Sequence, residues 1–287
     1  MAHGCFLLFL DMAIHPLHSY LISQLMTTLI RLFLPLLVLM SLVTFHGCQQ
    51  KGCTDPGAIN YDPEAEEDGE ACSYPMLSLR INQLVGDEAL TLNTDYQING
   101  TVVQFETVNV YLDEIRLMDM DGTMSDMLPT TLLVTNEQAT YEVGDITTGH
   151  KHMLMFGVGV DSATNHGTDP TTLAEDDPLY VQVPSMHWSW DMGYIFLRID
   201  GQVDTDGDGA VDAPMELHIG RATFFTDVML EAHSDAMSES MEIAVDFDMA
   251  TLLAGLDLST ENMTHTGDNL PLARKVQANL ASAFAIP

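Results

Sequence analysis

Positive charge is scarce in this chain. Nine Lys and Arg face 42 Asp and Glu across 287 residues, for a formal net charge of −33. Binding to nucleic-acid phosphates needs Lys and Arg to displace counterions, so this balance excludes non-specific nucleic-acid binding. It equally excludes electrostatic docking on anionic lipid. Long apolar runs are also missing. The most apolar stretch, Leu32 to Phe45, has 14 residues, short of the ~20 that span a bilayer. Enzyme signatures are absent: there is no GxSxG, HExxH, P-loop or dinucleotide fingerprint, and no enzyme class is indicated. Disorder is excluded from the other side, because 46% of residues are hydrophobic and only 18% are charged. The charge thus comes from missing cations. Its acids are either a solvated anionic surface or ligands for cations.

The 14-residue run, preceded by Arg31, has the length of a signal-peptide core. It ends in Phe45-His46-Gly47-Cys48. A small residue directly before Cys resembles a bacterial lipobox, with Cys48 as the lipidated new N-terminus. Ordinary secretion and an uncleaved anchor are the alternatives, and all three export the domain. Residues 1–25 make a poor leader, with Asp11 and no Lys or Arg, whereas Met26 opens a more orthodox one. Residues 1–47 are therefore set aside as leader, with translation starting at Met26. Removing them takes away only Arg31 and Asp11, so the net charge stays the same.

Cysteine is sparse as well. Cys5 lies in the leader and Cys48 is the lipid site. Cys53 and Cys72 remain as a pair, consistent with a disulfide in an oxidising compartment; a metal-binding pair is the alternative. They bound an acidic module within 48–75 that carries the turn signals Asp55-Pro56, Asp62-Pro63 and Asp68-Gly69. The module resembles Cys-bounded acidic modules near the N-termini of exported bacterial surface proteins. Asp55, Asn60, Asp62 and Asp68 could offer oxygens to Ca²⁺, or simply be solvated in a stapled spacer.

From Met76 to the C-terminus the pattern is beta. Leu77, Leu79 and Ile81 alternate with polar neighbours, as do Val108, Val110 and Leu112. Ile195, Leu197 and Ile199 follow at the same spacing, then Met241, Ile243, Val245, Phe247 and Met249 against Glu242, Ala244, Asp246 and Asp248. Residues 153–158 are apolar on both faces. Period two with one polar face marks half-buried antiparallel strands. The expected fold is an all-β antiparallel sandwich over 76–287, with short helices near 250–256 and 273–284.

Two features carry chemistry. Asp204-Thr-Asp206-Gly-Asp208-Gly209-Ala210-Val-Asp212 places carboxylates at i, i+2 and i+4, with Gly for the sharp turn and the Ala210 carbonyl as a further oxygen. Met215 stands where an EF-hand has its bidentate Glu. The expectation is a short calcium loop in a beta connection; an acidic hairpin tip is the alternative. The second feature is the segment Met186-His187-Trp188-Ser189-Trp190, which holds both tryptophans of the chain. Imidazole suits copper and similar borderline metals. The methionines scatter through apolar strand positions and read as core filling.

The order Asn165-His166, then Met186-His187-Trp188-Ser189-Trp190-Asp191-Met192-Gly193-Tyr194, then His218-Ile219-Gly220 resembles the MbnP-like family. These are exported bacterial copper-binding proteins associated with methanobactin operons and related to the copper proteins MopE and CorA. The resemblance extends over about 77–250. It implies a β-sandwich that binds one copper ion through His, with a nearby Trp open to oxidation to kynurenine by a dihaem, MbnH-like peroxidase partner. Carried over by motif, the copper ligands are His166 and His218, with His187 in a position where the family often has an aromatic residue. Trp188 and Trp190 are the positions for modification. The calcium-type loop between Gly201 and His218 departs from the family pattern. A second class of function is a calcium-stabilised extracellular adhesion or scaffold domain without copper.

Overall fold

The computed structural model describes Gln24, residues 50–69, 72–125, 127–189 and 192–287. The apolar leader run, Cys48 and Trp190 lie outside these. Among the described residues, no helix is long and apolar enough to cross a membrane.

Nine long or site-forming strands build the domain: β1 Met76–Val85, β2 Thr101–Asp119, β3 Thr140–Asp145, β4 Gly149–Val158, β5 His187–Ser189, β6 Gly193–Val203, β7 Ala213–Gly220, β8 Thr226–Ala236 and β9 Ser240–Asp248. The larger sheet runs β8-β4-β2-β6-β7, and β5 adds to β6. The smaller sheet centres on β1, with β9 on one side and β3 on the other. Alternation drives the layering. Leu77, Leu79 and Ile81 of β1 and Met241, Ile243, Val245 and Phe247 of β9 are buried, while their neighbours are not. They join a single core with Phe105, Val108, Val110, Leu154, Phe156, Leu197 and Ile199 of the larger sheet. Phe284, paired to β9, stacks on Phe247 and meets Phe156 edge-on, with ring centroids 4.3 and 5.2 Å apart. This is the face-to-face packing of a sandwich.

One departure from the expected pattern is the pairing of β1 with β9, which is parallel over its whole length from Met76↔Ser240 to Leu84↔Asp248. Parallel neighbours need a long crossover, and here most of the domain intervenes between the two strands. Side-chain alternation is identical in parallel and antiparallel strands, so the sequence does not distinguish them.

Helices fall close to the expected places. A single turn covers Met249–Leu252. The longer α2, Leu270–Leu280, follows α1, Ser162–Gly167. In α2 the Asn269 side chain caps the start by accepting from Leu272 N, Pro271 sits in the first turn, and Leu272, Ala273, Val276 and Leu280 line the buried face. At six residues, α1 is too short for a helical period to show in the sequence. Its start is set by Asp161, whose carboxylate accepts from the amides of Ala163 and Thr164.

The acidic module is closed by the disulfide Cys53–Cys72, with Cα atoms 5.1 Å apart. A parallel bridge joins Lys51–Gly52 to Glu67–Asp68. The module touches the sandwich where Thr148 N donates to the Gly57 carbonyl.

Candidate functional site

The Asn-His, Trp and His-x-Gly segments converge around the start of β6. The short β5 folds back on β6, with His187 opposite Tyr194 and Ser189 opposite Gly193. Gly193 has φ +74°. A Cβ there would lie 2.3 Å from the Asn165 side-chain oxygen, so only glycine leaves room for Asn165. That oxygen accepts from Tyr194 N at 2.7 Å, and Asn165 is 1% exposed. Asn165 therefore clamps α1 to the β5–β6 hairpin, a role that His-centred motif reading missed. The signal was present in the sequence as the Asn beside His166 and the Gly beside Tyr194.

Tyr194 continues the clamp inward. Its hydroxyl donates to the Leu179 carbonyl at 2.9 Å, and its ring meets Tyr111 edge-on at 5.7 Å. Burial pushes the Tyr194 phenol up to about 12, reinforced by nearby Asp177 and Asp169. Burial raises the Tyr111 phenol further. His187 packs edge-on against Tyr194 at 4.9 Å. Burial pushes its imidazole down, partly opposed by the charge of Asp169. His166 lies exposed on α1.

Trp188 turns the other way and covers β7 at Gly220. A Cβ on Gly220 would come within 2.7 Å of the indole and 2.6 Å of the Tyr194 carbonyl oxygen. Two residues earlier on the same strand face is His218, 4% exposed. β6 and β7 pair antiparallel, with Arg198 opposite His218 and Asp200 opposite Glu216. Leu197, Ile199 and Gly201 face the core, and Arg198 and Asp200 alternate outward. Asp200 engages both His218 and Arg198 on this face. One oxygen meets His218 Nε2 at 2.6 Å, and the other accepts from Arg198 Nε at 2.5 Å. Burial alone would raise the Asp200 carboxyl, but the hydrogen bonds from His218 and Arg198 outweigh it and hold it below its usual value.

A fourth element completes the cluster. The His218 carbonyl accepts from the Thr266 hydroxyl, whose oxygen accepts in turn from Gly220 N. This fastens the 263–268 segment along β7. Next to Thr266, the His265 ring lies edge-on to His218 with centroids 4.9 Å apart. Its nitrogens meet Asp268 at 2.9 Å and Glu216 at 3.1 Å. His265 carries no motif, and only the strand-side position of its segment brings it here.

Among the described residues, one group of three or more His, Cys, Asp or Glu has converging ligand atoms: Asp204, Asp206 and Asp208, with one oxygen from each within 4.8 Å of the others. His166, His187 and His218 do not form such a group. In the acidic loop, Asp204 is 4% exposed and accepts from Gly207 N and Gly209 N. Asp206 and Asp208 accept from the amides of Asp208 and Ala210. Asp212 is turned to the Thr205 amide and hydroxyl. In the N-terminal module, Asp55 accepts from Gly57 N and the Tyr74 hydroxyl. Asn60 accepts from Ser73 N, and Asp62 accepts from Gln50 and Glu64 N. Among the described residues, the carboxylates of Asp55, Asp62 and Asp68 do not converge as a group of three.

Fold and site define a two-sheet β protein that displays a His, Trp and carboxylate cluster on the outer face of its larger sheet. The chain belongs to the MbnP family, whose family model matches residues 74–267. Among solved structures it is similar to MbnP from Methylosinus trichosporium, at 16% identity and a TM-score of 0.49, covering 65% of this chain and 80% of that one. No curated protein matches the chain.

Proposed function

We propose that this is an exported copper-binding protein that captures, holds or delivers copper and performs no catalysis itself. Membership of the MbnP family supports this reading. The observation that carries it is the placement of Trp188 over Gly220 beside the buried His218, whose Nε2 is engaged by Asp200. A carboxylate on one ring nitrogen fixes the tautomer and leaves the other, Nδ1, as the metal donor. Imidazole is a fitting donor for copper, so the chemistry of the site suits the metal. His218 is the principal ligand; His187 and His166, on the flanking hairpin and helix, are the further candidate imidazoles, and their nitrogens do not converge with His218 in this arrangement. Trp188 and Trp190 are the positions for oxidation by a dihaem MbnH-like partner, and a modified Trp188 would add an oxygen or nitrogen donor on the strand face of His218. Cys48 carries the lipid that anchors the exported chain. The test is metal analysis of the purified protein after copper loading. Wild type retains copper and His218→Ala loses it. Equal retention by the two defeats the assignment.

Calcium at Asp204, Asp206, Asp208, the Ala210 carbonyl and Asp212 is part of the same proposal. Three carboxylates converging on one point repel one another without a cation. If the domain is a calcium-stabilised scaffold and not a copper protein, calcium raises its melting temperature while no copper is retained.

A further inference from the structure

A second cluster of imidazoles lies at the far edge of the larger sheet. β8 is the outermost strand there and pairs antiparallel with β4. The register runs Glu231↔Met153, then jumps to Ser234↔Lys151 and Asp235↔His150. Two residues, Ala232 and His233, therefore oppose the single residue His152. This is a β-bulge, a device that re-aims a side chain. His233 sits at φ +45°, in the left-handed region that few non-glycine residues adopt. The bulge brings the His233 ring against His152, with centroids 4.6 Å and Nδ1 atoms 3.3 Å apart. His150 stands beyond, its ring centroid 5.9 Å from that of His233.

We propose that His152, His233 and His150 form a second metal site, for a borderline divalent cation such as Zn²⁺. With metal–nitrogen bonds of ~2.0–2.1 Å, a tetrahedral ion separates two ligand nitrogens by about 3.3 Å. The Nδ1 atoms of His152 and His233 already stand at that spacing. Asp235 holds His150 Nδ1 at 2.6 Å. This is the carboxylate–imidazole arrangement that sets the tautomer and frees Nε2 for a metal. The His150 nitrogens do not converge with that pair in this arrangement; His150, partly exposed, supplies the third nitrogen by a side-chain rotation. The surrounding charge favours a cation. Glu231 lies 3.7 Å from His233 Nε2, and the nearest ammonium, Lys151, is held by Asp119 at 2.8 Å and Thr147 at 3.0 Å. The site does not depend on the copper proposal, because β2 and β6 separate β4 from the strand that carries His218.

The test is titration of the purified protein with Zn²⁺ against a chromophoric chelator, with Co²⁺ absorption reporting tetrahedral coordination. Wild type binds one Zn²⁺ at this site. His152→Ala and His233→Asn weaken it by at least tenfold, and Asp235→Asn by about 10–100-fold, as loss of an outer carboxylate does elsewhere. Asn tolerates the positive φ at 233, so His233→Asn keeps the bulge, and an unchanged melting temperature confirms it. His218→Ala leaves Zn²⁺ affinity intact. The proposal is overturned if wild type shows only millimolar binding, if His152→Ala and His233→Asn bind as wild type, or if His218→Ala abolishes the Zn²⁺ site. Loss of copper by His218→Ala with Zn²⁺ retained leaves both proposals standing. Failure to load copper at all, with Zn²⁺ still lost in His233→Asn, defeats the copper reading alone.

Discussion

Replacing Asp200 by Asn probes the site and the fold together. The Asp200 side chain is 17% exposed, and its partners Arg198 and His218 are 18% and 6% exposed. Removing one member of a buried charged pair costs ~3–5 kcal/mol, because the partner stays buried without compensation. Here the Arg198 guanidinium keeps the Ser185 carbonyl as an acceptor, and some water reaches the group. The expected cost is therefore about 2–3 kcal/mol, at or under the low end of that range. For a domain of this size each kcal/mol shifts the melting temperature by ~2–4 °C, so Asp200→Asn should melt about 4–12 °C lower by calorimetry. The pH dependence has a fixed sign. The Asp200 carboxyl titrates below its ordinary value of 3.8 in the folded state, so its stabilisation is fully present above that value. It is lost as pH falls through the lower folded value, and Asp200→Asn should lack this part of the acid destabilisation. Copper affinity should fall about 10–100-fold with loss of the carboxylate behind His218. A melting temperature within 1–2 °C of wild type, about the shift from 0.5 kcal/mol, refutes the energetic argument. A large stability loss with unchanged copper affinity refutes the positioning role.

Three further outcomes are expected. Gly220→Ala forces a methyl into the space of Trp188 and the Tyr194 carbonyl; it should cost about 1–3 kcal/mol and change the near-ultraviolet circular dichroism of the tryptophans. Asn165→Ala removes the acceptor of a buried amide and should cost about 1–3 kcal/mol, read by denaturant unfolding. Tyr194 and Tyr111, raised by burial, should remain protonated above pH 10 in a spectrophotometric titration. Their folded-state preference for the neutral phenol stabilises the protein fully below the ordinary value near 10, and that stability is lost as pH rises from there toward 12 and beyond.

How much was legible from the chain alone follows the range of each interaction. Strand identity was readable wherever one face is buried, as at Leu77–Ile81 and Met241–Phe247, because alternation is a local signature of a pleated half-buried surface. The disulfide was readable because only two cysteines remain beyond the leader and Cys48. Strand β8 was not picked out, since its exposed Met229 and bulge at His233 blur the alternation.

The sequence by itself determined the all-β class, the helical C-terminal segment, the Cys pair, and the acidic loop whose three carboxylates converge within one short turn. Apart from the Cys pair, 19 residues apart and readable by count, these depend on neighbours a few residues apart. Tertiary structure alone decided that β1 lies parallel to β9, that Asn165 fills the slot of Gly193, and that Asp200 and His265 are the companions of His218. It also decided that His150, His152 and His233 share one edge. Strand pairing sets these contacts, and a shift of one residue in register would turn each side chain to the opposite face. No local pattern carries that information, because the partners lie tens of residues apart and meet only when the sheet closes.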